Sequence, residues 1–255
     1  MRILAIGDVV GSNGCNYLRE VLPALKKRYN IDLVIANGEN STNGNGINPL
    51  SAEHLFKSGV DVITGGNHSF KRKEIYDFLE TEPNLIRPAN FPENTTPGKG
   101  FCILDMLKYR VIIINLLGNI YMENVECPFK TADNIVDQYK NDIIIVDFHA
   151  EATAEKKAIG FYLNGRVSAV LGTHTHVPTA DACILSKGTG YITDLGMTGV
   201  SASALGIDPD IVIQKFKTKM PIKFEYAKGK KTIDFAVLEI DEQSKKTISI
   251  ERFTV

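Results

Sequence analysis

The 255-residue chain has few cysteines, almost no net charge and no long apolar run. Its four cysteines include no Cys-x-x-Cys pair, which argues against a zinc ribbon or a thioredoxin-type site. A chain of this length does not need disulfides to hold its core together. We therefore interpret all four as thiols outside the active site: Cys15, Cys102, Cys127 and Cys183.

The formal net charge of -1 excludes a general electrostatic attraction to nucleic acid or to an anionic membrane. Nucleic acid is therefore expected only as a substrate. No segment has the uninterrupted apolar stretch that crosses a bilayer, and neither end shows a signal-peptide pattern. We expect a cytoplasmic protein with no membrane partner, and the sequence leaves open whether it forms a homo-oligomer.

The organisation of the chain predicts one domain over residues 1–255, because there is no linker, low-complexity tract or repeat. Strands and helices alternate in the first part of the chain, which is typical of an α/β fold. Further strands are predicted at 84–88, 101–104 and 109–115 without helices between them, and a C-terminal hairpin at 232–251. We therefore expect two packed mixed sheets with helices outside.

Five of the predicted strands are followed at once by residue types that bind metals. These clusters occupy 7–8, 37–40, 65–68, 147–151 and 172–176. Strand ends that meet at one sheet edge form the usual crevice for chemistry in α/β proteins. Any one position alone is more typical of structure: Asp8 could cap a helix, and Asn40 or Asn67 could hold a turn.

The histidines favour the functional interpretation. Four of the five in the chain fall within these clusters. His54 alone lies elsewhere, on a predicted helix, and we interpret it as a surface or packing histidine.

Carboxylate, amide and imidazole groups together suit an intermediate-to-hard divalent ion. Two such ions about 3.5 to 4 Å apart can share a carboxylate and clamp a phosphoryl group between them. Glu39 is the natural bridging carboxylate. If the turn 173–176 is extended, His174 and His176 project the same way and can each serve a different ion.

The order of these motifs resembles that of the calcineurin-like metallophosphoesterases, whose usual series is Asp-x-His, Gly-Asp, Gly-Asn-His, a later His and Gly-His-x-His. Val10 stands in place of the first histidine, Glu39 in place of the bridging aspartate, and Thr173 precedes the histidine pair. These departures resemble the YmdB-like branch, as do four longer stretches of sequence: 37–40, 147–153, 172–181 and 191–199. The resemblance spans nearly the whole chain.

The resemblance implies a four-layer sandwich, two mixed β-sheets with helices outside, and a two-metal site. The ligands that it implies for one metal are Asp8, Glu39, Asn40 and His176. Those that it implies for the other are Glu39, Asn67, His149 and His174. His68 is implied as the acid that protonates the leaving oxygen, and Asn40 as the compensation for the histidine missing at Val10.

Members of this branch are similar to phosphodiesterases of cyclic nucleotides, including 2′,3′-cyclic ones such as 2′,3′-cyclic AMP. The expected reaction is attack on phosphorus by a hydroxide that bridges the metals, with His68 assisting departure. The alternatives are a phosphomonoesterase and a regulatory protein that binds a nucleotide or RNA at the metal site. The expected ions are divalent or mixed-valence Fe or Mn, with Zn, Ni and Co as alternatives. Segment 118–130 is either a lid or an ordinary connection.

Overall fold

The computed structural model describes residues 1–255, and most of its core lies in thirteen β-strands. In chain order they are β1 (Arg2–Ile6), β2 (Asp8–Val9), β3 (Leu33–Asn37), β4 (Val62–Thr64), β5 (Phe101–Asp105), β6 (Arg110–Leu117), β7 (Ile143–His149), β8 (Ala169–Thr173), β9 (Cys183–Ile184), β10 (Gly190–Ile192), β11 (Met197–Val200), β12 (Lys231–Ile240) and β13 (Thr247–Thr254).

Six α-helices connect or flank these strands. They are α1 (Gly11–Tyr29), α2 (Pro49–Lys57), α3 (Tyr76–Thr81), α4 (Pro128–Val136), α5 (Thr153–Tyr162) and α6 (Pro209–Thr218). A 3-10 turn, Lys73–Ile75, leads into α3. None of the helices combines the length and the apolar character needed to cross a membrane.

The strands form two mixed sheets. The first has seven strands in the order β2-β11-β12-β1-β3-β4, with β13 paired to β12 as the predicted C-terminal hairpin. The second has six strands in the order β5-β6-β7-β8-β10-β9. Strands β1, β3 and β4 run parallel, as do β6, β7, β8 and β10, while β12, β5 and β9 are antiparallel to their neighbours.

The sheets pack face to face, and helices cover their outer faces. In β1, Ile3 and Ala5 join the core between the sheets, whereas Leu4 and Ile6 join the core beneath α1 and α2. A third core packs α4 and α5 on the other side of the second sheet. Because both faces of a central strand are buried, its sequence is a continuous apolar run. The predicted two-sheet sandwich with outer helices is confirmed.

One predicted strand is absent from the structure, and one helix of the structure was not predicted. Residues 84–88 form no strand beyond a single bridge from Leu85 to Ile63, because the chain turns toward Lys99 and Pro88 has no N–H to donate. Helix α6 was not predicted at all, and none of its residues is buried. Segment 118–130 has no regular element before α4 begins at Pro128.

Candidate metal centre

All of the predicted site residues lie at the carboxyl ends of strands from both sheets. Asp8 begins β2, directly after β1. Glu39 and Asn40 follow β3, and Asn67 and His68 follow β4. His149 is the last residue of β7, and the histidine pair follows β8: His174 and His176. The two sheets therefore supply the site jointly.

Asp8, Asn40 and His176 form one half of the cluster. The Asp8 Oδ1 atom accepts a hydrogen bond from Asn40 Nδ2 at 3.3 Å and lies 3.5 Å from His176 Nε2. Asp8 Oδ2 accepts the backbone N–H of His174 at 3.1 Å. The first set of implied ligands is therefore in mutual contact.

Glu39, His149, His174 and Asn67 form the other half. Glu39, His149 and His174 each present a ligand atom, and these three atoms lie within 4.8 Å of one another. His149 Nε2 lies 3.3 Å from Glu39 Oε1, 3.1 Å from His174 Nδ1 and 3.0 Å from Asn67 Oδ1.

Glu39 and Asn40 join the two halves. Asn40 Nδ2 donates to Glu39 Oε1 at 2.9 Å, in addition to its bond with Asp8. Glu39 is the carboxylate between the two groups of candidate ligands, which is the position that a bridging ligand would occupy. The structure therefore brings all the predicted residues together, and their roles as ligands stay predictions.

His68 lies at the edge of this cluster. Its Nδ1 lies 3.0 Å from Glu39 Oε1 and 2.9 Å from Asn40 Oδ1, and its backbone N–H donates to Glu39 Oε2 at 2.7 Å. Its side chain is 24 % exposed, whereas that of Glu39 is 1 % exposed. His68 is thus held by one ring nitrogen and remains accessible from outside.

The two carboxylates are buried, and their charge is compensated by imidazoles. Burial raises the pKa of Asp8, but attraction to His176 and His149 outweighs burial and lowers it overall. Burial also acts to raise the pKa of Glu39, and His149 and His68 bring it well below its usual range. In return Glu39 raises the pKa of His149 to about 9, against the effect of burial. The pocket therefore stabilises positive charge beside Asp8 and Glu39.

Burial lowers the pKa of His174 to about 4, and the neighbouring His149 contributes to the same shift. A neutral imidazole is the form that binds a metal ion. His176 Nδ1 is buried and has no hydrogen-bond partner. The donor set of carboxylate, amide and imidazole groups fits a pair of divalent ions, with one buried nitrogen still unsatisfied.

The turn that carries the two histidines is not extended, so the condition under which the sequence predicted that both rings project the same way is not met. His174 has φ 109° and His176 has φ 62°. Positive φ is uncommon for residues other than glycine and indicates a turn held by its surroundings. Both rings nevertheless reach the cluster.

A buried ion pair fixes this turn, and the sequence analysis missed it. Lys156 Nζ lies 2.6 Å from Asp194 Oδ2 and donates to Thr173 O at 2.7 Å. The same Asp194 oxygen accepts the backbone N–H of Thr175 at 3.0 Å. Both charged side chains are almost fully buried. The pair therefore holds the backbone on both sides of His174.

Further residues contact the second ring nitrogens of His149 and His174 and so orient these rings. Thr173 Oγ1 lies 2.9 Å from His149 Nδ1 and donates to Asp147 Oδ1 at 2.7 Å, which directs His149 Nε2 toward Glu39. Glu151 Oε2 lies 3.0 Å from His174 Nε2. Partners of this kind fix the orientation and basicity of metal-binding histidines. Asp147 and Glu151 lie within the recognised motif, but nothing in the sequence assigned them a role.

His54 is not part of the cluster. It lies on α2, is partly buried and approaches Cys15 O through Nε2 at 3.3 Å.

The sandwich and the polar pocket at its strand ends are the architecture of the calcineurin-like metallophosphoesterases. A family model described as "YmdB-like protein" matches residues 4–253. The chain therefore belongs to the YmdB-like family, as its motifs predicted. Membership of this class of metallophosphoesterases implies divalent metal ions as cofactors.

Relatives of known sequence or structure agree with this assignment. The chain is 48 % identical over 257 residues to a Bacillus subtilis protein named 2′,3′-cyclic-nucleotide 2′-phosphodiesterase, covering 100 % of this chain and 97 % of that protein. A crystal structure of a Thermus thermophilus protein has a TM-score of 0.94 and 41 % identity, covering 100 % of this chain and 99 % of that one. A Mycoplasma pneumoniae protein described as a novel phosphatase has a TM-score of 0.95 and 35 % identity, covering 100 % and 93 %.

Replacement of Gly66 by alanine tests how closely the residues of the cluster are packed. A Cβ atom at this position would lie 2.5 Å from His149 Nε2 and closer still to Glu39 Oε2. We expect Gly66→Ala to lower metal affinity and turnover by roughly 10- to 100-fold, the loss typical when ligand orientation is disturbed. Elemental analysis measures the bound metal, and a phosphodiester assay measures the turnover. The control is Gly199→Ala, whose Cβ would lie 3.5 Å from Val10, and equal behaviour of the two variants would contradict the expectation.

Lys156→Met tests whether the buried ion pair positions the histidine turn. Leaving Asp194 buried without its partner should lower the free energy of unfolding by about 3 to 5 kcal/mol. Loosening of the turn should also weaken metal binding, measured by titration of the folded protein. The matched control is Lys157→Met, which removes the next lysine of α5 and its exposed pairing with Asp181. A loss of stability with unchanged metal affinity would show that the pair has no positioning role.

Proposed function

We propose that this chain is a metal-dependent phosphodiesterase that hydrolyses small phosphodiesters, with cyclic nucleotides such as 2′,3′-cyclic AMP as the favoured class. The observation that carries the proposal is the convergence of Asp8, Glu39, Asn40, Asn67, His149, His174 and His176 on one pocket, with His68 at its edge. The printed name of the Bacillus subtilis relative supports the substrate class.

The division of the ligands supports a site for two ions. Asp8, Glu39, Asn40 and His176 would hold one ion, and Glu39, Asn67, His149 and His174 the other. When bound, the ions would activate water for attack and neutralise charge on the phosphoryl group. Iron or manganese is proposed first, since both accept carboxylate, amide and imidazole ligands, and zinc, nickel and cobalt accept them too.

The metal-loaded site would attract substrate through its net charge. Asp8 and Glu39 are the charged ligands proposed, and two divalent ions carry more positive charge than these two carboxylates can balance. The loaded pocket would therefore be net positive and would attract a phosphate anion. This balance favours a phosphodiester or phosphomonoester over a neutral substrate.

His68 is proposed as the general acid. Glu39 Oε1 and Asn40 Oδ1 both lie within hydrogen-bond distance of its Nδ1, and its Nε2 forms no hydrogen bond within the chain. A ring oriented at one nitrogen can donate a proton from the other to a leaving oxygen. The partial exposure of the His68 side chain supports this role.

The proposal treats residues 1–255 as one domain, because the two sheets share a core and each supplies candidate ligands. It also places the protein in the cytoplasm. All four cysteines are free thiols, and two of them, Cys127 and Cys183, are exposed, which suits a reducing compartment.

His68→Ala separates an enzyme from a metal-dependent binding protein. The variant should keep its metals and bind substrate, while turnover of 2′,3′-cyclic AMP falls by roughly two to four orders of magnitude. A nitrophenyl diester should lose less, because its leaving oxygen needs less protonation. His54→Ala is the matched control, since that ring lies on α2 outside the cluster.

Elemental analysis and steady-state assays on both diesters and on a phosphomonoester give the answer. Equal losses of turnover on the two diesters, or loss of a metal, would reassign His68 to positioning or ligation. Faster hydrolysis of the monoester than of any diester by the unmodified protein would replace the proposed reaction with that of a phosphomonoesterase.

A further inference from the structure

A cavity of about 730 Å³ lies apart from the candidate metal centre. Its walls come from the connection 87–101, which leads into β5, and from Glu126 and the region of α4. None of the candidate metal ligands lines it, and neither does His68. The volume is within the range of pockets that bind small molecules.

Arg87 lines this cavity and is 2 % exposed. Its Nη1 donates to Pro88 O at 2.9 Å, while its Nε is buried with no hydrogen-bond partner. No carboxylate oxygen lies within 4.0 Å of the guanidinium, so it has no ion pair. A buried charge without a partner is costly, and an unsatisfied donor adds to the cost.

Other arginines of the chain show the usual arrangement. Arg110 binds both carboxylate oxygens of Asp142, and Arg166 contacts Asp133 and Asp137. These pairs are exposed or partly exposed, whereas Arg87 is buried and unpaired. Burial lowers the pKa of Arg87, and the attraction of the more distant Glu93 and Glu80 does not offset this. No carboxylate of the chain therefore compensates the charge of the Arg87 guanidinium.

The other residues that line the cavity indicate which chemical groups the bound anion would contain besides its charged group. Phe91 and Phe101 provide aromatic surface, and Asn94, Asn134 and Gln138 provide amide donors and acceptors. The cavity is much larger than an inorganic ion needs. Guanidinium groups pair with planar carboxylates and with phosphates through two parallel hydrogen bonds.

We propose that this cavity binds a small organic anion, with its phosphate or carboxylate group paired to Arg87 and its organic part against Phe91 and Phe101. The lining also carries the exposed Lys99 and two carboxylates, Glu93 and Glu126, and neither carboxylate pairs with Arg87. The proposal does not depend on the reaction at the metal centre, because the two sites share no residue.

The cavity wall is nevertheless connected to the metal centre. Phe91 packs edge-to-face against Phe70, two residues beyond His68, with ring centroids 5.1 Å apart. Asn90 Nδ2 donates to Leu117 O at 2.8 Å, next to the strand that ends at His149. A change in turnover could therefore arise from either site, and the test needs a signal that comes from the cavity alone.

The chain contains no tryptophan, so Phe101→Trp places a single fluorophore in the cavity wall. The metal-loaded, full-length variant is titrated with inorganic phosphate, adenosine 5′-monophosphate and citrate. We expect a saturable change of tryptophan fluorescence with the nucleotide or with citrate, at lower concentration than with inorganic phosphate. Saturation by the nucleotide assigns a phosphate monoester as the ligand class, and saturation by citrate assigns a carboxylate.

Arg87→Met in the same background should weaken this binding by roughly 10- to 100-fold, the effect of losing a hydrogen-bonded charge partner. Arg110→Met is the matched control, because it removes a guanidinium outside the cavity and should leave the titration unchanged. Thr131→Tyr, on α4, fills the cavity while keeping Arg87 and should also abolish the response. This variant decides the question if Arg87→Met does not fold.

Two results would overturn the proposal. One is the absence of a saturable response to the nucleotide and to citrate, together with no rise in the unfolding temperature of the unmodified protein in their presence. The other is a response that persists at the same concentrations in Arg87→Met or Thr131→Tyr, which would place the binding elsewhere on the molecule.

Discussion

The burial of two carboxylates beside each other is the constraint on which the site depends. Asp8 and Glu39 are 0 % and 1 % exposed, and ionised carboxylates removed from water need compensating charge. Three imidazoles approach them within 3.0 to 3.5 Å: His68, His149 and His176. Bound cations would compensate them more completely. The arrangement around the two carboxylates therefore favours positive charge beside them.

The fold supplies this arrangement because the parallel strands of both sheets end at the same edge. The apolar layer between the sheets sets their spacing, and so sets the distance between the candidate ligands at the ends of β1, β3 and β4 and those at the ends of β7 and β8. Buried polar contacts then fix the side chains that the strands deliver. The Lys156–Asp194 pair holds the histidine turn, and Asp147 acts through Thr173 on His149.

The sequence predicted the two-sheet architecture and the gathering of the site residues, because both depend on local patterns. Apolar runs define buried strands, and strand ends of one sheet converge whatever lies between them. The sequence left open whether the turn at His174 and His176 is extended, and its positive φ angles show that it is not. Asp194, which follows β10 and accepts the backbone N–H of Thr175, gave no local signal of this geometry. Nothing in the sequence indicated that the side chains of Lys156 and Arg87 are buried. Whether a charged side chain is buried and paired is decided by residues distant in sequence, and Lys156 looks like any helical surface lysine until Asp194 is placed beside it.

The metal content of the purified protein tests the central claim most directly. Elemental analysis should find two divalent metal ions per chain in the unmodified protein and a lower number in Glu39→Gln, which keeps the shape of the shared ligand but removes its charge. Turnover of 2′,3′-cyclic AMP should fall together with the metal content. A metal-free protein with full turnover, or a Glu39→Gln variant that retains both ions and full activity, would contradict the account.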